Sequence, residues 1–326
     1  MRKFTAAIGI ALLAIAGSAI AAAAADAQYP SRPVRVIVPY PAGGSLDLIG
    51  RVYAKALGDS LGQPFIVDNR GGANGNVGTE AVANAAPDGY TLVVTSSSNL
   101  TINPNIYRRM PFDVQRDLAP VSLVAVQRNV LVVNPSLPVH SVKELVALAK
   151  VKPGSINYGS SGVGSSAHMS AELFRLVTGA EMTHVPYKGV GPATNDLVAG
   201  QIPLMFNNLA VSTPFVKSGR LRALAVTGSG RHPALPKVPS MAEAGFPGVD
   251  VSLWEALLAP AATPPDIIAR LNAETIKAAQ HSEVKDRLAS AGADPTTGTP
   301  QQLAQMIRDE TAKWAKVVRD AKIPQE

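Results

Sequence analysis

Pro39-Tyr40-Pro41-Ala42-Gly43-Gly44-Ser45-Leu46-Asp47 is the stretch on which the fold turns. The apolar run Val34-Arg35-Val36-Ile37-Val38 precedes it and reads as a buried strand. The spacing after it predicts a helix over 46–58. The two glycines therefore stand at a strand-to-helix turn. Such a turn presents unpaired backbone N–H groups and the positive end of a helix dipole. Together these attract anions without any basic side chain.

Working outward, the same pattern recurs. Residues 65–68 read as a second strand, and the glycine-rich turn 71–78 leads into a helix over 78–86. Pro87-Asp88-Gly89 is a turn signal, and 90–95 is a strand ending in Ser96-Ser97-Ser98-Asn99. This alternation predicts an α/β fold, a parallel sheet with helices on its faces. Residues 118–133 hold two strand-like runs, 121–126 and 130–133. Ser141 and Glu144 form a capping-box pattern before a helix over 142–151. Strands are predicted at 156–158, 183–187, 203–206, 222–227 and 254–258, and helices at 167–178, 192–199, 264–280 and 300–321. Thr299 and Gln302 cap the last helix.

Composition narrows the function. The 326 residues are enough for two domains, and 46% are hydrophobic. Aromatic residues are 5%, too few for stacking platforms on nucleic acid. There is no cysteine, which excludes disulfides and thiolate metal sites. The net charge of +6 comes from scattered residues and serves solubility or mild attraction of anions. Residues 1–27 read as a secretory signal peptide: Arg2 and Lys3, an apolar core, then Ala25-Asp26-Ala27 as a cleavage site. The expectation is an exported protein, periplasmic in a Gram-negative cell, with no membrane span.

Three strand-to-helix loops carry glycine and serine, at 38–46, 158–167 and 187–192. In open parallel sheets ligands bind beyond the carboxyl ends of the strands. If the loops face one cleft, their N–H groups converge, and Ser45, Ser160, Ser161, Ser165 and Ser166 add hydroxyls. Lys188 is the one basic residue among them. Asp47 either complements the helix dipole or meets the ligand. His168 either donates to a ligand or caps a loop. Tyr187 lies against a ligand or in the core. Gly162-Val163-Gly164-Ser165-Ser166-Ala167 matches a dinucleotide fingerprint, but its strand is short and Glu172 and Glu181 fall at poor distances for a ribose. There is no G-x-S-x-G elbow, and the five histidines lack metal-ligand spacing. No cofactor, metal or catalytic group is expected.

Several segments are similar to one family. They are 29–35, Pro41-Ala42-Gly43-Gly44-x-x-Asp47, 67–78, Pro87-Asp88-Gly89-Tyr90-Thr91-Leu92, 158–165 with His168, and 184–189. The chain resembles the Bug-type periplasmic substrate-binding proteins of tripartite tricarboxylate transporters, from Tyr29 onward. One departure is Gly50, where alanine is common; it should loosen its helix. The resemblance implies a two-lobed, type II-like binding protein that closes on its ligand like a flytrap. Lobe one would be 28–127 with 251–326, and lobe two 128–250. Two crossing strands near 121–130 and 250–258 would form the hinge. The implied ligand is a small carboxylate: a dicarboxylate, amino acid or aromatic acid. The implied contacts are Ala42, Gly43, Gly44, Ser45 and Asp47 on lobe one. On lobe two they are Ser160, Ser161, Gly162, Gly164, Ser165, His168, Tyr187 and Gly189. Asn207, Ser97 and Asn99 are further candidates. The implied partners are the large and small membrane subunits of a transporter, with the chain itself a monomer. An exported hydrolase or lyase, or a sensor subunit that presents its ligand, are the alternatives. A serine within hydrogen-bond reach of a histidine would favour the hydrolase.

Overall fold

The computed structural model describes residues 29–228 and 230–325, so the signal peptide expected at 1–27 lies outside the described residues. The chain forms a two-lobed α/β protein. The first lobe begins with β1 (Val34–Val38), α1 (Ser45–Leu61), β2 (Phe65–Asn69), α2 (Asn76–Ala83) and β3 (Thr91–Ser96). β1 pairs in parallel with both β2 and β3, as alternating strands and helices require.

The two runs at 121–126 and 130–133 are one 16-residue strand, β4 (Leu118–Val133). The polar triplet Gln127-Arg128-Asn129 suggested a break, but each of its members finds a partner and the strand runs through. The second lobe holds α3 (Val142–Val151), β5 (Asn157–Ser160), α4 (Ser166–Thr178), β6 (Thr183–Pro186) and α5 (Val190–Ala199). It continues with β7 (Leu204–Asn208), α6 (Leu209–Lys217) and β8 (Arg222–Val226). The chain returns along β9 (Ser252–Pro260) to α7 (Pro265–Gln280), α8 (Ser282–Ser290), β10 (Ala293–Pro295) and α9 (Pro300–Asp320). The sequence pattern missed α6, which carries Pro214 inside it, and α8, whose exposed face masks the period.

β4 and β9 are the crossing strands. They run antiparallel from Leu118↔Pro260 to Arg128↔Ser252. At the next residue β4 changes partner, pairing β7 from Asn129↔Asn208 onward. β8 pairs the same half of β4. Each lobe is thus a sheet with helices on both faces. In the first, Val36, Ile49, Tyr53 and Leu57 share one core, while Ile37, Val93, Leu258 and Ile307 lie in another. In the second, Tyr158, Phe174 and Phe206 pack on one face, and Val132, Leu197 and Met205 on the other.

α9 belongs to both halves. Leu303 and Ile307 pack into the first lobe, whereas Trp314, Val317 and Val318 meet Met169 and Leu173 of α4. The pattern had marked one apolar stripe on this helix; the fold divides it between two cores. The Thr299–Gln302 capping box is complete. At α3 the box is displaced: Ser141 caps Glu144, but the Glu144 carboxylate accepts from the N–H of His140, one residue earlier.

Two helical glycines are close-approach positions. A Cβ on Gly50 would lie 2.6 Å from Val38 Cγ2, so this glycine lets α1 settle on β1 and does not merely loosen the helix. On Gly78 a Cβ would meet the Arg70 carbonyl at 2.6 Å and Pro39 Cβ at 2.7 Å. Helix propensity alone makes Gly78→Ala stabilising by about 1 kcal/mol. Backbone cannot move aside as a side-chain tip can, and overpacking costs about 1–3 kcal/mol. Gly78→Ala is therefore expected to lower the urea midpoint at unchanged m-value. A raised midpoint would show that α2 has room on its inner face.

Candidate ligand-binding site

The first loop is built on Asp47. This residue is 5% exposed, in the first turn of α1. Its carboxylate accepts from the Gly43 N–H at 2.9 Å and from Asn69 Nδ2 at 2.9 Å. Arg51 Nε, one turn on, lies 3.0 Å from it. Asn69 also donates to the Tyr40 carbonyl at 3.1 Å, so the carboxylate ties both ends of the loop together. Gly43 has φ +87°, a left-handed conformation that glycine adopts without strain. Burial works against ionisation of Asp47, but the bonds from Arg51, Gly43 and Asn69 hold its carboxyl below the usual aspartate range. Among the described residues no side chain caps α1, and Ala42, Gly43, Gly44 and Ser45 are exposed.

The second loop follows β5. Ser165 is the N-cap of α4, accepting from the His168 N–H and donating to the Gly162 carbonyl at 2.7 Å. Gly162 (φ +132°) and Gly164 (φ +72°) make the turn. Ser160 is fully buried, and its Oγ accepts from the Gly162 N–H and lies 2.6 Å from His184 Nε2. His168 accepts from the Gly164 N–H through Nδ1 at 3.1 Å. That bond requires the neutral imidazole with its proton on Nε2, the atom 3.8 Å from Glu172. The rings of His168 and His184 stack with centroids 4.0 Å apart, and Tyr158 stacks on His184 at 4.9 Å. Burial lowers both histidines to about 4; Arg175 adds to this at His168, and His168 at His184. The Tyr158 hydroxyl bonds to Glu172, which also accepts from Arg175 Nη1 at 2.7 Å.

The third loop is zipped to the second. Tyr187 N–H donates to the Ser160 carbonyl and Gly189 N–H to that of Ser161. Tyr187 is half-buried, its hydroxyl held by Asp196 at 2.8 Å. Gly189 starts α5 without a side-chain cap.

Four N–H groups expected to face an anion thus have protein acceptors: those of Gly43, Gly162, Gly164 and Gly189. The tight turns consume them. Three other candidates are deeply embedded. Asn99 accepts from Thr79 and Thr95 and donates to Asn74 and Asn76. Asn207 lies within β7, donating to Thr194 at 3.0 Å and accepting from the Asn208 N–H. Ser97 Oγ accepts from the Trp254 N–H at 3.3 Å.

Other residues join the site that sequence reasoning passed over. Gln127 on β4 reaches Ser45 Oγ at 3.3 Å, Glu255 Oε1 at 2.8 Å and Asn208 Nδ2 at 2.5 Å. It links the first loop, the crossing strands and the second lobe. Asn74 holds φ +49°, unusual for a residue other than glycine, and its side chain bonds to Asn103 at 2.7 Å. A Cβ on Gly164 would stand 3.9 Å from Asn74 Nδ2, so the two lobes meet here. The repeated asparagines within 74–76 and the lone glutamate in an apolar strand were the available signals.

Glycine- and serine-rich loops at strand ends thus stand on both sides of the crossing. Residues 49–323 match the model of the tripartite tricarboxylate transporter family receptor, and the chain belongs to that family. It is 44% identical to protein BugT of Bordetella pertussis over 98% of both chains. The structure of Rpa4515 from R. palustris with adipate has a TM-score of 0.81 at 38% identity, covering 92% of this chain and all of that one. MatC from Rhodopseudomonas palustris with bound malate has a TM-score of 0.76 at 32% identity, over 89% of this chain and all of its own.

The Asp47 brace has a measurable consequence. A carboxyl whose folded-state pKa is depressed stabilises the fold above its unfolded value, and that contribution is lost as pH falls through the folded value. Asp47→Asn is expected to cost about 1–3 kcal/mol in urea unfolding at pH 7. The gap to the parent protein should close as the pH drops below the aspartate range. A gap that persists in acid would point to packing, not charge.

Proposed function

We propose that the chain is an extracytoplasmic solute-binding protein that captures a small carboxylate for a tripartite tricarboxylate-type transporter. The observation that carries this reading is the match, over about nine-tenths of the chain, to two relatives whose structures hold adipate and malate. On this reading the lobes are 28–127 with 251–326 and 128–250, and they close about β4 and β9. The ligand lies between the loop 42–47 and the loops 160–168 and 187–189. Its carboxylate is met by first-turn dipoles, the hydroxyls of Ser45 and Ser161, and water, since the Ser165 hydroxyl and the N–H groups of Gly43, Gly162, Gly164 and Gly189 are engaged. Asp47, Asn99 and Asn207 serve as supports for that surface. The protein works in the periplasm as a monomer and hands its ligand to the two membrane subunits.

A binding protein is stabilised by its ligand. At about one hundred times its Kd a ligand adds ~2.7 kcal/mol, several degrees in Tm. A panel of dicarboxylates, including adipate and malate, should contain compounds that raise Tm this much. Hits confined to neutral sugars or cations would sink the carboxylate reading.

One observation favours the hydrolase alternative: Ser160 Oγ lies 2.6 Å from His184 Nε2. A working pair needs an accessible nucleophile and a base oriented by a third group. Ser160 is 0% exposed, and the neighbouring carboxylate, Glu172, bonds to Tyr158 and Arg175. With its pKa at about 4, His184 is a weak base at neutral pH. The pair is read as a brace for the loop. p-Nitrophenyl ester hydrolysis is expected to be the same for the parent protein and Ser160→Ala; turnover lost in the variant would restore the enzyme reading.

A further inference from the structure

The crossing of β4 and β9 holds a buried acid that the loops do not account for. Glu255 is 1% exposed. In register it pairs Ser96 of β3 on one side and Ala125 of β4 on the other. Ser96 is the last residue of β3, so Glu255 lies at the carboxyl edge of the parallel strands, where such sheets take their ligands. Tyr40, from the loop after β1, bonds to that same Ser96 at 2.9 Å. Glu255 Oε1 accepts from Gln127 Nε2, and through Gln127 it is linked to Ser45 and Asn208. Glu255 Oε2 is buried and has no hydrogen-bond partner among the described residues.

A buried polar atom without a partner is costly, and native structures rarely keep one without a use. Ionised, Glu255 would be a buried anion with little to compensate it. Neutral, it has Oε1 engaged as acceptor and an O–H on Oε2 in want of an acceptor. Burial pushes its titration well above the carboxylate range, although Gln127 and its own N–H pull the other way. The titratable group facing it is the Tyr40 phenol, itself pushed up to about 12 by burial. From β3 and β4 it meets Ser96, Ala125 and Gln127, which are uncharged, and the nearest link to the second lobe is Asn208.

We infer that Glu255 is a specificity-determining residue: its neutral carboxyl donates a hydrogen bond to a carboxylate of the ligand and selects against ligands that carry an ammonium group. This rests on the carboxylate-receptor reading above. A carboxylate oxygen satisfies the O–H, whereas an ammonium offers a donor to a donor. To accept an ammonium, Glu255 would have to release its proton to solvent.

The test uses two ligand pairs, adipate with 2-aminoadipate and malate with aspartate, in calorimetric titrations between pH 6 and 9. The parent chain, Glu255→Gln and Glu255→Leu are compared. A hydrogen bond to a charged group is worth roughly ten- to a hundredfold in Kd, which is the loss expected for Glu255→Leu. Glu255→Gln keeps a donor and should bind within a few-fold of the parent. The parent should weaken as the pH rises toward ionisation of Glu255, while Glu255→Gln stays flat. Infrared spectra of the ligand-free protein should show a protonated-carboxyl band at neutral pH that Glu255→Gln lacks. If Glu255→Leu fails to fold, the pH profile and the infrared band of the Gln variant still decide. Undiminished binding in Glu255→Leu, no such band, or a preference for the amino ligand with proton release into the buffer would each overturn this inference alone. If neither pair nor any carboxylate of the thermal panel binds the parent, the receptor reading fails and this falls with it.

Discussion

Between Arg128 and Asn129 one strand changes partner, and the rest of the structure depends on that step. On one side β4 is bonded to β9, and on the other to β7 and β8. Where a strand changes partner, its buried backbone N–H and C=O groups must each find a new acceptor or donor. Here three polar residues cover the step. Gln127 bonds to both lobes and to Glu255. Arg128 donates to the Gly230 carbonyl at 2.9 Å. The Asn129 N–H donates to Thr227 Oγ1 at 3.0 Å, and its side-chain amide donates to Ser170 Oγ at 3.1 Å. The crossing is thus a polar seam through an apolar strand that joins the two lobes.

The loops on either side follow a common rule. Each turn is held by its own backbone N–H groups, bonded inward to a side chain or carbonyl. Asp47 does this for the first loop, Ser160 and His168 for the second, and the Ser161 carbonyl for the third. A surface held this way keeps its shape before a ligand arrives, so less ordering cost falls on binding. Behind the first lobe, Asn74, Asn76, Asn99 and Asn103 share one network with Thr79 and Thr95. Fully satisfied polar networks of this kind rigidify a core.

Much of the fold was legible because its signals are local. The strand at 34–38, the capped helix at 300–320 and the glycine turns all declare themselves within a dozen residues. The failures have physical causes as well. Gln127-Arg128-Asn129 looked like a break because polarity usually marks a strand end, and here it marks a change of partner. The helix over Leu209–Lys217 was passed over; it carries a proline, Pro214, inside it. Gly50 read as a weak helix position and Gly78 as the end of a glycine turn, while both sit where two elements approach closely. Among the candidate site residues, the glycines and serines could be located but not oriented. Sequence spacing says that an N–H is near a helix start; it does not say whether Asp47 or His168 already holds it.

By itself, then, the sequence determined the alternation of strands and helices, the position of the three strand-to-helix loops and the family likeness, all set by short-range pattern and turn chemistry. Tertiary structure alone decided which groups those loops still offer, and it brought Gln127, Ser45, Asn208 and Glu255 together from four separate segments. The reason is distance along the chain. Ser45 lies in a first-lobe loop and Asn208 at a second-lobe strand end, and they share one amide only because β4 carries Gln127 between the lobes. Glu255 is buried beside them by the pairing of β9 with β3 and β4. No periodicity in the linear chain encodes such a meeting.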